Sequence, residues 1–465
     1  MKKGQTNIRE KIAYGLGGIG FQMTLALTNA FLILYYTDSV LLSAAFIGGM
    51  MFVARMLDGA TDFVAGYIIE KTRTRWGKAR PWIIISAPFL ALSVILMFNV
   101  PAGMSQTATN VYVFVTYVFM TAICYTFTNL AHNAMLPRIT LVSEDRNRTV
   151  AVQALMMGIT TALLVGAFVP ALDALGGESS QRAWTIMSFA IAIISMVLLV
   201  ICFFAVKEKL PAHDNTEVDV SKNSAVKTPV KESVMFLMKS KYFYILILLY
   251  LTLAITNGSA GITVYFMRDV LGDAGLMGIF SIISVVAMIG TMPFVPKIFA
   301  LVGKRRTLII GLSVATIMNL VRLVAPTFLP LQLGAVFLST AFIVPLWIAT
   351  PTMICDLVDF GDWKKGIRTE GFTTSASSFG TKLGLGIGSF VLGIGLSLGR
   401  YDPLAYVQSQ QTVNAIIIIN IALPAVLTFL CLVCVLMWDL DKTRTQVEAY
   451  MAKKIEGDDD DEKAE

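Results

Sequence analysis

Long apolar runs alternate with short polar segments from one end of the chain to the other. Twelve runs reach about 20 residues, near 12–37, 44–69, 82–101, 107–136, 149–172, 184–206, 243–267, 275–297, 307–325, 331–355, 372–398 and 411–438. About 20 residues of helix cross a hydrocarbon core of ~30 Å, and only a helix satisfies its own backbone there, so each run predicts a membrane span. The first run has no small-residue cleavage pattern and carries Tyr35–Tyr36 at its far end, which reads as a retained span rather than a leader. The fold class is therefore all-α and integral to the membrane.

The second run, AAFIGGMMFVARMLDGATDFVAGYII, departs from the apolar pattern. Asp58 and Asp62 stand four residues apart, so they share one helix face, and Arg55 precedes Asp58 by three. A charge at membrane depth costs ~3 kcal/mol or more unless a cation, a proton or a basic side chain compensates it. This face offers carboxylate oxygens and a counter-charge, the makings of a cation site. Lys382 lies mid-span among small residues (SFGTKLGLGIG), too deep to snorkel, and reads as functional. Arg322 lies near the end of its run, where snorkelling or headgroup contact is expected. His132 divides evenly between a hydrogen-bonded packing residue and a substrate or proton group. Gly380, Gly384, Gly386, Gly388, Gly393 and Gly395 predict close helix packing in the eleventh run.

Composition agrees with the pattern. The chain has 465 residues, 56% of them hydrophobic and only 15% charged, with a mean hydropathy of +0.70, which excludes an ordinary soluble domain. Of the 37 Lys and Arg, 31 fall in segments on the side of the termini, three (Arg182, Arg268, Arg400) in the opposite loops and three inside runs. Positive-inside reasoning makes both termini cytoplasmic, in the cell (inner) membrane. The net charge of +6 thus reflects topology and lipid headgroups, not nucleic acid. All five cysteines lie in apolar segments, and the Cys431/Cys434 pair reads as packing rather than metal or redox chemistry. No nucleophile elbow, phosphate loop or metal-ligand spacing supports a membrane-embedded enzyme.

The chain divides at a polar stretch, giving 1–206, a cytoplasmic loop 207–241, a second set of spans 242–440, and a tail 441–465. Each half repeats one pattern after its second span. Lys71 is followed at matching spacing by Gly77, Lys78, Ala79 and Arg80, and Lys297 by Gly303, Lys304, Arg305 and Arg306. That repetition suggests two related six-helix bundles with a site between them, a transporter architecture.

At this point the residues resemble a known family. GYIIEKTRTRWGKARPW is similar to the loop signature of the major facilitator superfamily. RMLDGATDFVAGYIIEKTRTRWGKARPWI, with KIAYGLGGIG, YYTD, CYTFTNLAHNAMLP and DLVDFGDWKKGIRTEG, resembles the glycoside–pentoside–hexuronide:cation symporters, melibiose carriers among them. The resemblance implies a major facilitator fold that carries a sugar with a cation by alternating access, working as a monomer among membrane lipids, with no cofactor. It implies that Asp58, Asp62 and Thr126 bind the coupling cation, together with Asn129, where melibiose carriers have a third acidic residue, and Thr61, at a position that is often Asn. Lys382 would lie near that site and Trp347 near the sugar. Asp356, Asp359, Arg368 and Glu370 would form cytoplasmic ion pairs with gating loops that include Arg75, Lys78 and Arg80.

Departures from the melibiose pattern are informative. Gln22, Gln153 and Asn133 stand where melibiose carriers have an aspartate, an arginine and a tryptophan. The pocket becomes neutral and amide-rich, which still suits sugar hydroxyls but puts melibiose itself in doubt. A hexuronide would need a basic anchor from His132, Arg55 or Lys382, so a neutral glycoside is favoured. The pair of aspartates favours Na⁺ as the coupling ion, with H⁺ and Li⁺ as alternatives; a structural salt-bridge network and a lipid transporter on the same fold remain the competing readings.

Overall fold

The structure is a computed structural model that describes residues 6–139, 143–208, 238–365, 370–405, 407–440 and 446–447. Arg368, most of the central loop and nearly all of the tail lie outside these residues. Among the described residues, eleven helices are long and apolar enough to cross a membrane. In chain order they are α1 (Ile8–Ser39), α3 (Arg80–Met97), α4 (Gln106–Leu136), α5 (Arg148–Ala174), α6 (Gln181–Ala205), α7 (Lys241–Gly258), α8 (Leu276–Val302), α9 (Lys304–Val324), α10 (Leu329–Gly361), α11 (Ser377–Leu398) and α12 (Gln410–Met437). The expected count was twelve. The remaining run is the 28-residue helix α2 (Ala44–Lys71), set apart by Arg55, Asp58 and Asp62 in its middle.

The outward faces of these helices are large and apolar, as a lipid surround requires, and the buried faces mix small and polar residues with large apolar ones. On α6, Trp184, Ser188, Ala192, Ser195, Leu199 and Cys202 are buried, whereas Ile186, Phe189, Ile193, Val197, Ile201 and Phe204 are exposed. Glycines set how closely helices approach. A Cβ on Gly17 would meet Cys202 and His132 at 2.6–3.0 Å, and one on Gly20 would meet Leu199 at 2.9 Å and the Ser195 carbonyl at 3.0 Å. The KIAYGLGGIG string is thus the seam through which α4, α5 and α6 close on α1, and the Ser195 hydroxyl donates to the Gly20 carbonyl at 2.6 Å.

The chain forms two compact units that do not follow the halves of the sequence. One takes residues 1–217 together with 257–285 and 385–420; the other takes 218–256, 286–384 and 421–465. In the first unit, α1–α6 are joined by the segment after α7, the start of α8, most of α11 and the start of α12. A core of Tyr14, Phe21, Ile83, Leu90, Met135, Leu199 and Cys202 fills it. Backbones meet directly where this unit draws in those later segments: a Cβ on Gly166 would lie 3.1 Å from Gly278 Cα, and one on Gly393 would lie 2.8 Å from Gly48 Cα and against the Ala44 carbonyl. Gly393→Val is therefore expected to drive α11 off α2 and to lower stability, because backbone cannot yield as a side-chain end can. A fall in Tm of several degrees in detergent would meet this, overpacking of this kind costing ~1–3 kcal/mol; an unchanged Tm would refute it.

The second unit has its own core of Phe243, Leu246, Leu249, Leu312, Met353, Leu357, Cys431 and Trp438. Cys431 and Cys434 are buried and free, as packing residues. In this unit Gly380 and Gly384 of α11 lie over the Ile247 and Leu251 carbonyls of α7. Arg322 corrects the expectation of snorkelling: it is only 7% exposed, its Nε donates to Gln332 Oε1 at 2.8 Å, and the Gln332 amide donates to the Arg322 carbonyl at 3.0 Å. A planar neutral partner inside the protein satisfies the guanidinium better than exposure to hydrocarbon would.

Two helix ends are built to one plan. Tyr35–Ser39 of α1 and Phe266–Val270 after α7 are π-helical. Val40 N–H donates to the Tyr35 carbonyl as Leu271 N–H does to Phe266, and Leu42 N–H to Tyr36 as Asp273 N–H does to Met267. The turn residue between has positive φ in both cases, +61° at Leu41 and +82° at Gly272.

Candidate cation and substrate site

The acidic face of α2 meets α4 where α4 is irregular. Residues Phe119–Tyr125 form a π-helical segment, a widened turn of the sort that recurs at functional sites. It delivers Thr126 to Asp58: the hydroxyl donates to Asp58 Oδ1 at 2.6 Å, the carboxylate being a stronger acceptor than the Thr121 carbonyl 3.1 Å away. Asp58 is 4% exposed and Arg55 3%. Arg55 is held from α1, where Asn29 Oδ1 accepts from its terminal nitrogen at 3.0 Å. From the other side α11 closes over it, since a Cβ on Gly386 would sit 3.1 Å from Phe52 and 3.4 Å from Arg55. Among the described residues, Arg55 Nε and the Tyr117 hydroxyl are buried without a hydrogen-bond partner.

The other predicted residues are distributed as follows. Thr61 donates to the Asp58 carbonyl within its own helix at 3.0 Å. Asp62 is half-buried one turn beyond Asp58. Asn129 lies one turn after Thr126 and accepts from the amide of exposed Asn133 at 3.0 Å. His132 sits in the packing between α4 and α1, its Nε2 2.9 Å from the Tyr14 carbonyl and its ring stacked on Tyr14 at 4.0 Å. Gln153 is buried on α5, with Gly18 providing the space for its amide and Met157 Sδ accepting at 3.4 Å. Gln22 on α1 and Lys382 on α11 are half-buried, and Trp347 on α10 is 50% exposed.

The gating candidates divide in the same way. Asp356 pairs with Lys304 at 2.5 Å within the second unit, and Asp359 follows it on α10; Glu370 begins the helix that becomes α11. In the first unit the Arg75 guanidinium lies over the Trp76 ring at 5.0 Å. The segment Lys78–Arg80 is tied down by a residue that sequence reasoning missed. Glu208, beyond the end of α6, accepts from the backbone N–H of Lys78, Ala79 and Arg80 at 2.9–3.1 Å and pairs with Arg138 at 2.8 Å. Three orphan donors at the start of α3 and one guanidinium converge on one carboxylate. The Arg80 side chain in turn donates to the Phe203 carbonyl at 2.5 Å.

Thr126→Val removes the donor to a buried carboxylate, a contact worth ~1.5–3 kcal/mol. The cation concentration for half-maximal uptake is expected to rise about tenfold or more, and Thr126→Ser to restore it. Equal behaviour of the two variants would dismiss the hydroxyl as a ligand or orienting group.

Comparison with known proteins identifies the family. The chain matches the family described as MFS/sugar transport proteins over residues 13–442. It is 30% identical over 457 residues to the isoprimeverose transporter of Lactiplantibacillus pentosus, covering 96% of this chain and 91% of that one. It is 27% identical over 428 residues to the putative glycoside/cation symporter YagG of Escherichia coli (strain K12), covering 91% and 90%. Among solved structures, a D-xylose-proton symporter superposes with a TM-score of 0.65 at 16% identity, over 93% of this chain and 97% of that chain; at that identity the likeness speaks for the fold alone. These relatives are membrane transporters, not enzymes.

Proposed function

We propose that this chain, which belongs to the family of MFS/sugar transport proteins, carries a neutral glycoside inward together with a cation, Na⁺ in the first instance, by alternating access. The observation that carries the reading is the buried Asp58 carboxylate, held by Thr126 at 2.6 Å in mid-span beside Arg55. Carboxylate and hydroxyl oxygens suit a hard cation, and a relative named as a glycoside/cation symporter supports coupling of this kind. Asp62 and Asn129 complete the proposed cation site, with Lys382 as a counter-charge. Gln22, Gln153, Asn133 and Trp347 are the proposed sugar contacts, their amides exchanging hydrogen bonds with hydroxyls. Of the three basic groups placed to anchor a hexuronide, Arg55 is engaged by Asn29 and His132 by Tyr14, which favours a neutral sugar.

In this reading both termini are cytoplasmic, and the two six-helix halves of the sequence rock about the site. Cation binding raises sugar affinity and, by linkage, sugar raises cation affinity by the same factor, ~1–3 kcal/mol. The test is uptake of labelled glycosides into vesicles under a Na⁺ gradient, a proton gradient or neither. Accumulation driven by Na⁺ supports the proposal. Accumulation driven by protons alone reassigns Asp58 and Asp62 as proton carriers. Movement of no sugar under any gradient overturns the glycoside assignment and directs attention to lipids.

A further inference from the structure

At the ends of the spans opposite the termini, four chain segments of the first unit meet on one guanidinium. Arg268, after α7, donates to Asp38 at 2.6 Å, to Glu178 at 2.7 Å and to Asp269 at 2.9 Å. Its remaining nitrogen donates to the Tyr401 hydroxyl at 2.5 Å, and that hydroxyl lies 2.8 Å from both oxygens of Asp38. Glu178 is fixed by its backbone, whose carbonyl accepts from Ser39 at 2.8 Å and from the Trp184 indole at 2.7 Å. The cluster therefore ties the end of α1, the α5–α6 loop, the segment after α7 and the segment after α11 together.

Among the described residues its charges do not balance. Three carboxyls share one guanidinium, and Glu178 Oε1 is buried with no hydrogen-bond partner among them. An anionic oxygen left buried and unpaired beside two other carboxylates is strongly disfavoured, whereas a neutral carboxyl removes the repulsion. We propose that this cluster is a latch that holds the outer ends together and that Glu178 takes up one proton when the latch closes and releases it when the latch opens.

The groups acting on Glu178 are Arg268 from the α7 end, Asp38 from α1 and Asp173 at the end of α5; Asp269 and Tyr401 share Arg268 with it. Burial raises the Glu178 carboxyl above its ordinary value; Arg268 opposes this and Asp38 reinforces it. Burial raises Asp269 likewise. A carboxyl raised in the closed state stabilises closure at low pH. That advantage is full below the ordinary Glu range, where both states are protonated equally, and is lost as pH rises through the raised value.

The latch rests on the alternating-access reading, but its test uses no gradient and no sugar, so transport and latch can fail separately. Ala30 lies in the first unit beside Gly261 and is buried. An Ala30→Cys variant in a Cys355→Ser background, in right-side-out vesicles, is labelled with a membrane-impermeant maleimide across external pH. Ala102→Cys, in the exposed α3–α4 loop, corrects for the thiol's own reactivity. Corrected labelling is expected to rise with pH above the carboxylate range, by up to tenfold per unit for one proton released. Glu178→Gln is expected to flatten the profile at the low, closed level, and Arg268→Gln to raise labelling at every pH. A flat corrected profile with Glu178 intact overturns the proposal even where the Gln variants fail to insert, and so does an unchanged slope in Glu178→Gln.

Discussion

Asp58→Asn is expected to abolish cation-driven accumulation while leaving downhill exchange of the sugar measurable. The amide oxygen can still accept from Thr126, now at 2.6 Å from Asp58 Oδ1, so the local hydrogen bond survives and the charge alone is removed. Loss of the charge should weaken the cation by about a hundredfold or more, ~2.8 kcal/mol, which matches the upper end of the ~1–3 kcal/mol coupling that sugar binding returns. Arg55 keeps Asn29 as a partner, so the variant is expected to insert. Parallel uptake and counterflow assays separate the outcomes. Retained accumulation would remove Asp58 from the cation site, and loss of exchange as well would assign it to folding or to the sugar.

The second large effect concerns stability. Glu208→Ala strips a carboxylate, 2% exposed, from three backbone donors and Arg138. Removing one partner of a buried charged set leaves the others desolvated and unpaired, at ~3–5 kcal/mol. A fall in Tm of several degrees in detergent is expected, together with faster proteolysis in the loop between α2 and α3. Glu208→Gln should be intermediate, because its single acceptor oxygen cannot serve every donor. A Tm unchanged in both variants would show that Glu208 is a bystander to the loop's geometry.

The contrast between Asp58 and Glu208 explains what a sequence can disclose here. Charges inside apolar runs stand out against their background, so Asp58, Asp62, Arg55 and Lys382 were conspicuous, and the twelve runs gave the fold class. Thr126 became a candidate through family resemblance, because a hydroxyl in an apolar run carries little signal by itself. Partners supplied by distant helices were hidden: nothing in the spacing joins Asn29 to Arg55, or Glu208 to a loop it follows by more than a hundred residues. The widened turn in α4 has no sequence mark either. Arg268 was visible only as one of three basic residues in the opposite loops, and that scarcity, with Asp269 beside it, was the available clue to the latch.

The matching ends of α1 and α7 carry one last implication. Aligned by their shared turns, Asp38 corresponds to Asp269 and Leu41 to Gly272, while Arg268 corresponds to Thr37, whose hydroxyl lies 2.6 Å from Asp38. Both aspartates are thus served by an arginine that only one copy of the plan possesses. With a single copy supplying the cation for both acids, this end of the molecule has a donor side and a receiving side, and the two matching turns are not interchangeable.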